Sequence, residues 1–163
     1  MTIEAINQSP NGAILDNIVL TLNGLPMFFN GAEQTLICDA ERSIEHFETF
    51  PAATVSMTGG KYTPESRSRM RSEVDFAVFV FMSNYNDESP NAPVSRALAD
   101  MHSQIAKALL TDQTRGKTAL TTEVGEWFTD IKENDGGWTD LMLCMQVSCT
   151  VFVSPTDPTI RVD

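Results

Sequence analysis

Two histidines, three cysteines and two charged clusters hold most of the side chains in this chain that could do chemistry. Acid–base and nucleophilic catalysis call most often on histidine, because its pKa lies near neutrality. His46 sits between Glu45 and Glu48 in an acidic stretch, and His102 follows Met101 at the edge of an apolar stripe. No GxSxG, HExxH or P-loop pattern accompanies them, so both read as surface or packing residues and no catalytic residue is assigned. Cys38, Cys144 and Cys149 are odd in number and lack CxxC spacing. That pattern suggests neither a secreted disulfide framework nor a zinc site, and it predicts reduced thiols in a cytoplasm.

The acidic cluster Asp130, Glu133, Asp135 and Asp140 surrounds Gly136 and Gly137. Oxygen ligands around a glycine turn suit a hard cation, but the spacing is not that of an EF-hand. A charge run on an acidic protein reads as a solvated turn, so no metal and no cofactor is expected. Paired carboxylates could in principle do acid–base work, yet nothing singles out two of them. The opposite charge concentrates at Lys61, Arg67, Arg69 and Arg71, four of the eleven basic residues in one short segment. With Tyr62 as its lone aromatic, the segment is a poor stacking platform for single strands. Three readings stay open for it: a solvated loop, a positive contact for an acidic partner surface, and weak nucleic-acid contact.

The whole chain carries a net charge of −11 from 22 acidic and 11 basic residues. Its field repels phosphate backbones and anionic membranes, which disfavours specific DNA binding. At 163 residues, 42% hydrophobic and 20% charged, the composition is that of a globular protein. One domain over 1–153 is expected, followed by an extended, proline-containing arm over 154–163, disordered or docked on a neighbour. The opening MTIEAINQSPNG has no basic and apolar signal-peptide pattern, and no run reaches the roughly 18 apolar residues of a transmembrane helix. No membrane association is expected.

The elements that must position these groups follow from periodicity. Ile14, Leu15, Ile18 and Leu22 share a helical stripe over 13–22, with Gly24 as a left-handed stop, although Asn23-Gly24 and the β-branched residues also permit a hairpin. A short strand over 34–39 and a strand over 51–60, ended by a glycine pair, come next. Residues 61–71 lack periodicity and read as a long exposed hairpin loop. Residues 84–93 are turn-rich, with Asn91 and Pro93 suited to start a helix. In that helix Val94, Ala97, Leu98, Met101, Ile105, Ala108 and Leu109 form one stripe, with Arg96 and Asp100 paired at i,i+4. Val124, Trp127, Phe128 and Ile131 within 123–138 fit either a helical turn or an aromatic loop. In 141–153 every odd residue is apolar, which predicts a long antiparallel strand with one buried face. The class is α+β: a mostly antiparallel sheet of about four strands with helices packed on one face.

The strand 71-RSEVDFAVFVFMSNY-85 breaks its own alternation. Val74, Phe76, Val78, Val80 and Met82 suit a helix-covered face, which leaves Ala77, Phe79 and Phe81 on the other. Those rings need a cover, either a neighbouring subunit or the chain's own Trp127 segment.

The order of elements, with the phrases 51-PAATVSM-57 and 75-DFAVFVF-81, resembles the tail terminator proteins of long-tailed bacteriophages over about residues 13–153. The resemblance implies a virion protein of the tail and neck, assembled in the host cytoplasm. Its subunits form a ring homo-oligomer, usually a hexamer, that caps the tail tube protein, ends its polymerisation and meets the neck or head-completion protein. It implies no catalytic residue and a lumen through which DNA passes without specific binding. Lys61, Arg67, Arg69, Arg71, Phe79 and Phe81 are then the expected subunit or tube contacts. The alternatives are another neck or tail component, such as a head-completion or tail-completion protein, and a small acidic enzyme or ligand-binding module.

Overall fold

The computed structural model describes residues 9–30, 33–34, 37–38, 50–85, 94–133 and 139–162. Helix α1 runs Pro10–Asn23, and the hairpin alternative for this segment is not adopted. Ser9 caps it, its Oγ accepting from Gly12 N at 3.1 Å, and Pro10 occupies the first turn, where a missing N–H costs nothing. Ile14, Ile18 and Leu22 bury the expected stripe. Gly24 ends the helix in a right-handed conformation, φ −75°, with its N–H bonded back to Leu20 O and Thr21 O, so no left-handed stop is used. A 3-10 turn over Pro26–Phe28 follows. Three two-residue strands come next: β1 Phe29–Asn30 and β2 Glu33–Gln34, paired antiparallel, and β3 Ile37–Cys38. The rest of the predicted 34–39 strand and the acidic 39–49 stretch lie outside the described residues, as does the 86–93 turn with Asn91 and Pro93.

Four long strands build the main sheet: β4 Ala52–Pro64, β5 Met70–Tyr85, β6 Thr121–Glu133 and β7 Thr139–Val153. Its order is β3-β4-β5-β7-β6, antiparallel throughout apart from β3, which pairs parallel with Ala53 and Thr54. Helix α2, Val94–Thr111, joins β5 to β6. Leu98, Met101, Ile105 and Leu109 of α2 and the α1 stripe pack on one sheet face. They meet Val74, Phe76, Val78 and Val80 of β5 and Leu141, Leu143, Met145, Val147, Cys149, Val151 and Val153 of β7. Antiparallel partners share a face, and the register Phe76↔Val147 and Val80↔Leu143 puts both apolar sets on the helix side. The α+β class, the two long helical segments and the alternating final strand are therefore as the sequence predicts.

Three expectations are corrected. β4 does not stop at the glycine pair but runs through it to Pro64, with a bulge between Met57 and Gly59. At Gly60 a Cβ would lie 2.4 Å from Glu73 O, so only glycine lets the paired backbones meet there. The long loop is therefore a ladder, Lys61↔Glu73 to Pro64↔Met70, closed by a turn in which Glu65 N and Ser66 N donate to Arg69 O. Within the 123–138 segment, residues 123–133 are neither a helical turn nor an aromatic loop but belong to strand β6, and 134–138 lie outside the described residues. A bulge between Val124 and Trp127 inserts one extra residue and so turns a helix-like spacing into a strand with Val124, Trp127 and Ile131 on one face. The arm beyond 153 folds back on its own sheet: Ser154 N donates to Ile160 O, and Val162 N to Phe152 O. Leu120 N bonds Thr150 O, two residues along the same strand edge, so residues 160–162 continue the row that β6 leaves at Thr121.

Candidate functional site

The sheet face away from the helices divides into a polar end and an apolar end. Near the hairpin, side chains of β5, β7 and β6 line an open groove of about 430 Å³, including Arg71, Glu73, Glu123, Ser148, Thr150 and Phe152. These residues share a face because Glu73 pairs with Thr150 and Thr150 with Thr121 in register. Within this polar end Ser148 Oγ donates to Asp75 Oδ1 at 2.5 Å. At the other end Ala52 and Phe81 are buried, with Phe50, Phe79 and Met142 packed against them, and the Phe79 and Phe81 rings stack with centroids 6.4 Å apart. This is what interrupts the alternation of β5: its charged half borders the groove and its apolar half carries a second small core.

Of the expected contact residues, Lys61 pairs with Glu73 at 3.0 Å, and Arg71 with Glu65 at 2.5 Å and Glu73 at 4.0 Å. Both cations are thus matched within the hairpin, where side chains of paired strands face each other. Arg69 lies 4.3 Å over the Phe152 ring, a cation–π contact. Arg67 stands exposed at the turn. Arg67 and Arg69 have no carboxylate partner among the described residues, so the positive character of the segment concentrates at its tip. Phe81 is only 5% exposed in its own chain, so its ring is not offered to a neighbour; Phe79 is half-buried. Trp127 does not cover either ring. It lies on the helix side against His102 of α2, the two rings tilted by 36° with centroids 4.4 Å apart, and this contact gives His102 a packing role. Phe128, on the face that carries Phe79, is 55% exposed.

His46 and Asp135 lie outside the described residues. Of the other acidic positions, Asp130 pairs with Lys132 at 3.2 Å, Glu133 is exposed on β6, and Asp140 faces Lys132 in register on β7. Among the described residues no group of three or more His, Cys, Asp or Glu is placed to hold a metal ion. Cys144 and Cys149 are buried and unpaired, and burial pushes both thiols above the usual cysteine range.

One feature of the connection after α2 has no counterpart in the sequence reading. Arg115 is fully buried, with φ 50°. Its guanidinium donates to Leu109 O and Asp112 O, and to Thr21 Oγ1 of α1 at 3.2 Å. It satisfies carbonyls at the end of α2, where the helix dipole favours a cation, and ties the two helices together. Asp112 arranges the same turn, its carboxylate accepting from Thr114 N at 3.0 Å, Thr114 Oγ1 at 2.7 Å and Gly116 N at 2.6 Å. Gly116 takes φ 63°, which a side chain would strain.

Fold and surface together define a small α+β sheet protein in which the sheet face away from α1 and α2 joins a charged groove to a partly exposed aromatic patch. Compared with known proteins, the chain matches no protein-family model and no curated protein. No described helix is long and apolar enough to cross a membrane.

Proposed function

We propose that this chain is a structural subunit of a bacteriophage tail, a tail terminator that forms a ring capping the tail tube, ends its polymerisation and joins it to the neck. The observation that carries this reading is where five of the nine exposed large apolar side chains among the described residues lie, the other four being Leu20, Leu110, Leu120 and Ile160. Met57 and Tyr62 sit on β4, 59% and 51% exposed, and Trp127, Phe128 and Ile131 on β6, at 51%, 55% and 48%. These are the two outer long strands of the sheet, and apolar surface at both margins of a subunit suits one with a neighbour on each side. The resemblance rests on the order of an N-terminal helix, a short strand, two strands joined through residues 61–71, a helix and one closing alternating strand, before which this chain adds β6. The net charge of −11 suits a lumen that passes DNA without holding it. Another neck or tail component, such as a head-completion or tail-completion protein, would share these properties.

A second reading has its own observation. The 430 Å³ groove, with Arg71, Glu73 and Glu123 at its walls, has the size of a small-ligand site. It lies on the sheet face opposite α2.

The two readings part in solution. Sedimentation and negative-stain microscopy of the purified chain should show a ring of about six subunits with a central hole. A compact monomer that binds a small polar ligand would replace the ring reading with the second.

A further inference from the structure

We propose that β6 of one copy adds antiparallel to the Met57–Pro64 half of β4 in the next copy, so that one sheet continues from subunit to subunit. This rests on reading the chain as a ring subunit, and it names the surfaces that meet. Three independent features lead to it.

The first is the availability of the two edges. Among the described residues, β6 pairs only with β7, and β4 beyond Thr54 pairs only with β5. Met57 to Ser68 are all exposed, as are Gly125 to Thr129 and Ile131 to Glu133. Long open edges present unpaired backbone donors and acceptors, which monomers usually guard.

The second is direction. With four long antiparallel strands in the order β4-β5-β7-β6, the outermost two run opposite ways. Placing a second copy beside the first by rotation alone therefore sets β6 against β4 in the antiparallel sense, and both strands have 13 residues. The faces also agree. Met57 and Tyr62 lie on the helix side through Phe76 and Ser72, and Trp127 and Ile131 lie there through Met145 and Leu141. A continued sheet brings these four exposed apolar side chains to one face. β3 occupies the β4 edge at Ala53 and Thr54, so the neighbour must slide toward the hairpin. A stagger of that kind is what closing a tilted sheet into a ring requires.

The third is charge. β6 carries Glu123, Glu126, Asp130 and Glu133 against the single Lys132, already paired with Asp130. The opposite margin ends in the hairpin tip with Arg67 and Arg69. An acidic edge on one side and a basic tip on the other make a heterologous contact, which closes rings.

Charge reversal tests the contact and separates it from the ring reading. Arg67→Glu with Arg69→Glu should dissociate the ring, raising the apparent dissociation constant at least about tenfold. Glu123→Lys with Glu126→Lys should do the same, with each variant keeping its wild-type circular dichroism. A chain carrying all four substitutions should assemble again, as should an equimolar mixture of the two double variants in alternation. Rings that ignore both reversals, or a folded quadruple variant that stays apart, would overturn the edge contact and leave the ring itself standing. A wild-type chain that remains monomeric at high concentration would overturn both.

Discussion

At the scale of single residues, Arg115 shows how a surface-type side chain becomes structural. A cation in a polar turn carries no signal in the sequence. Its burial comes from tertiary packing, because the turn brings it beneath the carbonyl end of α2 and beside Thr21 of α1. Arg115→Met would keep the side-chain volume but leave three acceptors without their donor. It should lower unfolding stability by about 3 kcal/mol, read from the urea midpoint at unchanged slope. Asp112 in the same turn titrates in a predictable sense. Hydrogen bonds from Thr114 and Gly116 hold its carboxyl below the ordinary 3.8, so the folded state favours the charged form. Its contribution is complete above about pH 4 and fades as the pH falls below that value. The protection factor of the Gly116 amide, its exchange rate set against that of an unstructured amide at the same pH, should therefore fall on acidification through this range, and Asp112→Asn should flatten the dependence; a protection factor that ignores pH would remove the carboxylate from the account.

Elements differed in how far their sequence announced them, and the reason is geometric. Helix α2 and strand β7 were legible because each keeps a single period along its length, 3.6 for Leu98, Met101, Ile105 and Leu109, and two for Leu141 to Val153. β6 was not, because its bulge resets the strand period and leaves Val124, Trp127, Phe128 and Ile131 at spacings that mimic a helix. The arm of the β4–β5 hairpin is not legible for another reason. Lys61, Arg71 and their neighbours look like loop composition, yet across the ladder they meet Glu73 and Glu65, and pairing of this kind is invisible in one dimension. The charged groove leaves no mark in the sequence either, since Glu73, Ser148 and Glu123 meet only through register. β5 offers the sharpest contrast between its two faces. Phe76 is fully buried in the main core, and Phe76→Ala should cost about 3–5 kcal/mol. Phe79 is half-buried on the other face, so Phe79→Asp should leave the fold in place at a smaller cost. Thermal unfolding of the two variants distinguishes them, and equal losses would place Phe79 in a core of its own.

On the scale of the whole molecule, the sheet order carries a consequence for the chain as it is made. The last long strand, β7, is not at a margin but between β5 and β6. While the ribosome is still elongating, the β4–β5 hairpin and α2 emerge with Val74, Phe76, Val78 and Val80 lacking a partner strand along one side. β6 then appears before the strand it must pair with. Only when residues 139–153 leave the exit tunnel can the sheet close, by insertion into its own middle. Nascent chains thus pass through an interval in which the apolar run of β5 is open to any strand nearby, including another copy's. Pairs as far apart in sequence as Met70 and Val153 must find each other for the sheet to close, and non-local pairing of that kind slows folding.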